Sequence, residues 1–224
     1  MDLSQMNTLE QLFYYYRENG FYVLEQFSRH FLISIYGVLF AAILAIPLGF
    51  WIARHKKLAE WVIGVSNVLQ TIPALAMLSI LMLGLGLGAQ TVIMSVFLYS
   101  LLPILKNTYT GVRNVDDALL DTGKGMGMTR SQLTFMVELP LSLSVIMAGI
   151  RNALVVGIGI TSIGTFIGAG GLGDIITRGV NATDGTAIIL AGAIPTALMA
   201  IISDLVLVYL EGRLDPSRKV SINK

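Results

Sequence analysis

The sequence predicts an all-α polytopic membrane protein with about five core transmembrane helices and an N-terminal interfacial helix. Three observations lead there. Hydrophobic residues make up 54% of the 224-residue chain and charged residues 13%, with a mean hydropathy of +0.74, more than a water-soluble globule of this size needs. The apolar residues fall in long runs rather than in amphipathic stripes around a core. No stretch has the alternation and turns of a β-barrel, so the backbone must close its hydrogen bonds within helices.

Residues 1–30 come first. The stretch LFYYYRENGFYVLEQF groups its aromatics and disperses its charges, which suits an interfacial helix at the headgroup level, the alternative being the start of a long first span. Glu10, Arg17, Glu18, Glu25 and Arg29 interrupt any apolar run there, so no cleavable signal peptide is expected. A span needs about 20 mostly apolar residues, because the hydrocarbon core is about 30 Å thick and a helix rises about 1.5 Å per residue. Five runs qualify: Phe31 to Ala53, Trp61 to Leu83, Gln90 to Leu105, Ser142 to Ile167 and Ala187 to Leu210. The third is short and is expected to extend past Lys106. Trp51 and Trp61 flank a basic turn and read as interfacial anchors.

Pro47, Pro73, Pro103, Pro140 and Pro195 lie inside or at the edge of the spans. Each removes a backbone donor and is expected to bend or end the helix there, a defect tolerated where neighbouring helices or water serve the freed carbonyl. Gly84, Gly86 and Gly88 predict a tight turn, and Gly157, Gly159 and Gly164 predict close helix approach in span four.

Lys and Arg set the orientation. Arg54, Lys56 and Lys57, then Arg113, Lys124 and Arg130, then Arg213, Arg218, Lys219 and Lys224 share one side of a five-span chain, against Arg17, Arg29 and Arg178 on the other. The expected arrangement is a multi-pass protein of the cytoplasmic (inner) membrane with the N-terminus outside and a cytoplasmic tail at residues 211–224. A sixth span in the Tyr-rich region would move only the N-terminus.

The connection between Lys106 and Ser142 is too long for a turn and too polar to span. Helical patterning flanks Gly127, with Val115, Ala118, Leu119 and Thr122 before it and Leu133, Phe135, Met136 and Leu139 after it. Gly123, Gly125 and Gly127 are expected to break the first helix, Thr129 or Ser131 to cap the second, and Pro140 to separate the second from span four. Met126, Met128, Leu133 and Phe135 then become candidates to fill a groove on a soluble partner, with Arg130 supplying charge.

The series Asp121, Thr122, Gly123, Lys124, Gly125, Met126, Gly127, Met128, Thr129, followed by Val137, Glu138, Leu139 and Pro140, resembles the EAA loop of type I ABC importer permeases. That pattern is Glu-Ala-Ala, three residues, Gly, then about a dozen residues to Leu-Pro; here Asp121 replaces Glu, and Thr122 and Gly123 replace the alanines. The resemblance implies a type I ABC importer transmembrane domain over residues 31–210, with a coupling loop at about 112–140. It implies an ATPase-coupling role for Asp121, Gly123, Gly127, Met128, Thr129, Arg130, Gln132, Leu133, Phe135, Leu139 and Pro140, with Met128 to Phe135 as the coupling helix. Beyond the loop, SIGTFIGAGGLGDIITRGVNATDGTAIILAGAIPTALMAIISD is similar to permease subunits of osmoprotectant importers for glycine betaine, carnitine, choline or related solutes. Methionine importer permeases, also five-span with a similar GGLGD patch, are the nearest rival.

Gly168, Gly170 and Gly173 spell a literal G-x-G-x-x-G, but it follows a membrane helix rather than a strand, so dinucleotide binding is set aside. An outer loop of Gly170, Gly171, Gly173 and Asp174, flexible and facing a solute-binding protein, is expected instead. His30 and His55 are isolated and read as solvated or interfacial; no metal site is expected. The chain has no Cys, which excludes thiolate chemistry, and no Ser, His and Asp grouping or paired carboxylates suggest catalysis. Net charge is +1, giving no field for nucleic acid. Asp204 and Arg151 lie at similar depth in spans five and four and form a candidate intramembrane pair, since ionisable groups in a span face protein or water.

Five helices can hardly enclose a gated path, so a second permease subunit, identical or paralogous, is expected within the lipid bilayer. No G-x-x-x-x-G-K-[ST] phosphate loop occurs, so ATP and Mg belong to a separate ATP-binding subunit; the chain itself is no enzyme and needs no cofactor. A quaternary ammonium solute favours an aromatic cage, yet no aromatic lies between Trp61 and Phe97, with only Phe166 in span four and Tyr209 ending span five. Selectivity is therefore expected in an extracytoplasmic solute-binding protein. A membrane regulator that binds a cytoplasmic protein without moving solute, and an ion-driven secondary transporter, are the readings from other classes. The latter should show repeats or several buried carboxylates.

Overall fold

A computed structural model describes residues 7–214, so the tail cations Arg218, Lys219 and Lys224 lie outside the described residues. The helices, in order, are α1 (Thr8–Ile52), α2 (Lys56–Thr71), α3 (Ala74–Leu85), α4 (Ala89–Arg113), α5 (Asp117–Gly125), α6 (Arg130–Leu133), α7 (Leu139–Ile163), α8 (Leu172–Val180) and α9 (Thr186–Leu214). A π-turn, Thr134–Glu138, joins α6 to α7, and a 3₁₀ turn, Gly164–Ile167, follows α7.

Four of these stretches are individually long and apolar enough to cross a membrane, namely Thr8–Ile52, Ala89–Arg113, Arg130–Ile167 and Thr186–Leu214. The α2–α3 pair makes a fifth only if both pieces count as one span. Span two was expected from Trp61 to Leu83 with Pro73 bending or ending the helix, and it is divided at Ile72–Pro73, where Pro73 has no N–H to continue α2 and its fixed φ of −58° starts α3 as N-cap. The division expected before Phe31 is absent. α1 runs through it, and the only non-helical backbone inside the helix is at Asn19 (φ −117°, ψ 17°). Span three extends well past Lys106, as its short apolar run required.

The expected break at Pro140 is likewise not there, because the chain is helical from Arg130 onward. The π-turn supplies the reason. The Leu139 N–H reaches back to the Thr134 carbonyl, and widening the turn just before Pro140 makes room for a ring that would otherwise collide with the preceding turn. At two other prolines the freed carbonyl is served from a second helix. Pro103 leaves the Tyr99 carbonyl without its helical donor, and Gln70 Nε2 of α2 donates to it at 2.8 Å. Pro195 does the same to Ala191, whose carbonyl accepts from the Tyr16 hydroxyl at 3.3 Å.

Two compact units divide the fold. The first comprises Met1–Leu39, Ile72–Phe97 and Leu154–Ile202; the second comprises Phe40–Thr71, Leu98–Ala153 and Ser203–Lys224. In the second unit α7 lies so close to α4 at Gly149 that a Cβ would sit 2.7 Å from the Pro103 carbonyl. In the first, Val96 and Val92 of α4 press on Gly157 and Gly164, whereas Gly159 meets no neighbour.

Candidate functional site

The loop between α4 and α7 belongs to the second unit and is built by three capping motifs. Asp116 opens α5 by accepting from the Ala118 N–H at 2.9 Å. At the other end the Met128 N–H bonds the Gly123 carbonyl (3.1 Å) and the Gly127 N–H bonds the Lys124 carbonyl (2.9 Å), with Gly127 at φ +79°. These are the 6→1 and 5→2 bonds of a Schellman motif, in which the left-handed residue is Gly127. Thr129 then forms a reciprocal box with Gln132: the Thr129 N–H donates to Gln132 Oε1 at 2.7 Å and the Gln132 N–H to Thr129 Oγ1 at 3.3 Å. Of the two anticipated caps, Thr129 is the one used.

Gly123 and Gly125 do not break α5. Both are helical, and Gly123 is buried where a Cβ would lie 2.6 Å from Leu133 Cδ2 and 3.0 Å from Met128 Sδ. The same contact removes Leu133 from the partner-facing set, since it is 8% exposed and packed inside the loop. Met128 is half-buried beside Gly123, so of the candidates Met126 (73% exposed) and Phe135 (68%) face outward, joined by Met136 (65%), which was not among them, and by Arg130. Asp121 pairs with Lys124 at 2.8 Å and holds that amine above its ordinary pKa, but both are exposed and the bridge adds little to stability. Because a β-branched residue at φ +79° costs about 1–2 kcal/mol, Gly127→Val is expected to loosen the loop and speed tryptic cleavage at Lys124 and Arg130. Gly127→Asn, which tolerates this backbone, should leave cleavage near the wild-type rate.

A charged tie beside the loop is not apparent from the sequence. Arg54, in the α1–α2 turn, donates through Nη2 to Glu138 Oε2 at 2.7 Å and to Thr134 Oγ1 at 2.5 Å, and Thr134 in turn donates to Glu138 Oε2 at 2.9 Å. Glu138 is 7% exposed, so the pair fixes the α1–α2 turn onto the π-turn in front of Pro140. Arg54, Lys124, Arg130, Leu133 and Glu138 line a cavity of about 390 Å³, mostly basic in character.

Also in the second unit, the structure brings Arg151 and Asp204 together. Arg151 Nε and Nη2 donate to Asp204 Oδ1 and Oδ2 at 2.7 and 3.0 Å. A third partner, Glu211, lies 3.6 Å from Arg151 Nη1. One guanidinium thus serves two carboxylates seven residues apart on α9.

The Gly170 to Asp174 patch, in the first unit, is not a flexible loop. α8 begins at Gly171 with no side-chain cap of its own, and α1 caps it from outside. Gln26 Oε1 accepts the Gly171 N–H at 2.7 Å, His30 Nδ1 accepts the Leu172 N–H at 3.2 Å, and Arg29 Nε donates to the Ala169 carbonyl at 2.7 Å. Gly171 and Gly173 are buried, and a Cβ on Gly173 would overlap the Ser162 carbonyl. Neither glycine can therefore touch a partner. Asp174 accepts from the Tyr22 hydroxyl and pairs with Arg178 at 2.8 Å.

His30, expected to be solvated or interfacial, is fully buried inside the protein. Its Nε2 contacts the Ile158 carbonyl at 3.0 Å. A carbonyl only accepts and an amide N–H only donates, so the ring is the neutral tautomer with its hydrogen on Nε2.

Long apolar helices, two of whose prolines have their freed carbonyls served from another helix, and a capped loop between them form a multi-pass membrane permease of the type I ABC importer fold. The fold matches a chain of the MetNI methionine ABC transporter in an inward-facing crystal form, with a TM-score of 0.71 over 88% of this chain and 95% of that one, at 18% identity. Residues 45–216 match the family of binding-protein-dependent transport system inner membrane components, and the chain belongs to that family. It is 68% identical over 94% of its length to the carnitine transport permease protein OpuCD of Listeria monocytogenes serotype 1/2a (strain 10403S), covering 95% of that protein. It is 67% identical over 96% of its length to the glycine betaine/carnitine/choline transport system permease protein OpuCD of Bacillus subtilis (strain 168), covering 93% of it.

Proposed function

We propose that the chain is the permease subunit of an ATP-driven importer of quaternary ammonium osmoprotectants, namely glycine betaine, carnitine, choline or a similar solute. The observation that carries this is identity of about two thirds, over nearly the whole chain, to permeases named for those solutes. The α4–α7 loop docks a separate ATP-binding subunit, where ATP and Mg act. Met126, Phe135 and Met136 fill an apolar groove on that subunit, and the basic cavity beside them takes acidic side chains. A second permease subunit, identical or paralogous, completes the path, and an extracytoplasmic binding protein delivers solute to it.

The N-terminus lies outside and the C-terminus inside. In support, Arg54, Lys56 and Lys57 lie at the α1–α2 turn, Arg113, Lys124 and Arg130 at the connection between α4 and α7, and Arg213 at the end of α9, connections that fall on one side of a five-span chain. Closure of the ATP-binding subunits on ATP draws the docked loops together. The continuous helix from Arg130 transmits that movement into the span, and the path turns from inward-open to outward-open.

The test is ATP-dependent uptake of glycine betaine, carnitine and choline by vesicles holding the full assembly, with Phe135→Asp and Met126→Asp as variants. Wild-type uptake should appear, and the double variant should lose at least about tenfold of it, in line with truncation of buried interface anchors, while still inserting. Uptake of methionine alone would overturn the solute assignment. Normal uptake by the double variant would overturn the docking assignment.

A further inference from the structure

The Tyr-rich segment has a use that its position outside the five runs conceals. In the first unit, Tyr14, Tyr15 and Asn19 of α1, Thr183 and Asp184 of the α8–α9 connection and Ala187 of α9 line a cavity of about 300 Å³. Asn19 Nδ2 donates to the Tyr15 carbonyl at 3.2 Å, bracing the backbone at the helix break. Asp184 has φ +56°, the only non-glycine residue with positive φ among the described residues. Gly185 explains the turn, since it packs so tightly on Gly179 that a Cβ would overlap the Gly179 carbonyl. Among the described residues no hydrogen bond or ion pair engages the Asp184 carboxylate.

Two phenol rings and a free carboxylate, with no Lys, Arg or His among the described residues of the lining, are a combination that suits a cation. Arg178, stacked at 4.8 Å on the neighbouring Tyr22 ring, is already paired with Asp174 at 2.8 Å, so its charge is compensated locally. Sodium or a primary amine prefers water or several oxygen ligands. A methylated ammonium cannot donate hydrogen bonds and gains from aromatic contact.

We propose that this cavity is a low-affinity site for a quaternary ammonium cation, with Tyr14 and Tyr15 as the aromatic wall and Asp184 as the counter-charge. The same headgroup is found on an osmoprotectant and on a phosphatidylcholine lipid. That the solute is the occupant rests on the function proposed above, whereas the cation chemistry does not.

The probe is radiolabelled tetramethylammonium, titrated against the assembled importer in phosphatidylglycerol nanodiscs without the soluble binding protein. Asp184→Asn, which keeps the shape and the tolerance for positive φ, and Tyr14→Leu should each weaken binding about five- to tenfold, and Tyr14→Phe should stay within about twofold. A structural role alone would let Asp184→Asn bind like the wild type. Wild-type binding by Asp184→Asn and Tyr14→Leu, no saturable wild-type binding, or equal competition by neutral 3,3-dimethylbutanol would each overturn the site. Repeating the titration with phosphatidylcholine in the disc separates the sources: weakened binding assigns the site to the lipid headgroup, and unchanged binding assigns it to the solute. Uptake by the same assembly with its binding protein keeps the two ideas apart, because uptake without tetramethylammonium binding sinks this inference alone.

Discussion

Replacing His30 by leucine is expected to destabilise the protein by about 2–4 kcal/mol. Two losses add up to that figure. The Leu172 N–H at the start of α8 loses its acceptor in a fully buried position, which costs about 1–3 kcal/mol, and the bond to the Ile158 carbonyl, worth about 1 kcal/mol, goes as well. The Ile158 carbonyl itself is not orphaned, because the Ser162 hydroxyl also donates to it at 3.4 Å. Glutamine at position 30 carries both a donor and an acceptor and should recover part of the loss, and a Gln26→Leu change should compound it by exposing the adjacent Gly171 N–H. The other histidine is the control. His55 is exposed and bonds only the Trp51 carbonyl one turn back, so His55→Leu should stay within about 0.5 kcal/mol. Thermal unfolding of the purified protein in detergent reads the series. Equal midpoints for His30→Leu and His55→Leu would show that the cap of α8 is dispensable.

His30 also marks where sequence reading stops. The spans are legible because about 20 apolar residues in a row have one physical outcome in a membrane, and Thr129 and Gly127 are legible because capping is local in sequence. The partners of His30 lie 128 and 142 residues away, and a lone histidine on an apolar helix face carries no spacing that points to them. The glycines of the GGLGD patch look like a flexible loop for a related reason: composition registers freedom, whereas their close approach to Ser162 and to α1 is tertiary. Pro73 and Pro140 show the two fates of a proline that local rules alone do not separate. One ends a helix, and the other is absorbed by a π-turn whose last residue, Glu138, is tied to the distant Arg54.

Replacing Arg151 by alanine is expected to be worse than removing either of its acidic partners. The guanidinium is bidentate to Asp204 and within 3.6 Å of Glu211, so Arg151→Ala strands two carboxylates on α9. An unpaired ionised side chain at the centre of a span costs about 2.5–3.5 kcal/mol on insertion scales, and less toward the span's end, where Glu211 sits. Asp204→Ala strands nothing outright, because Arg151 retains Glu211 and needs only a small shift to reach it. The expected order of damage to folded yield is therefore Arg151→Ala first, Asp204→Ala second and Glu211→Gln last. The pairing of Arg151 with Asp204 is suggested by their depth in the sequence. Glu211 is not, because span five seemed to end at Leu210 while α9 runs on to Leu214. Two turns of helix put Glu211 on the Asp204 face. Exchanging the charges, with Arg151→Asp and Asp204→Arg together, places an arginine on α9 between an aspartate across the interface and Glu211 on its own helix. The exchange should regain much of the yield that either reversal loses. If the exchanged protein is no better than the single reversals, the two side chains do not act as a direct pair. If Asp204→Ala is as damaging as Arg151→Ala, Glu211 does not share the guanidinium.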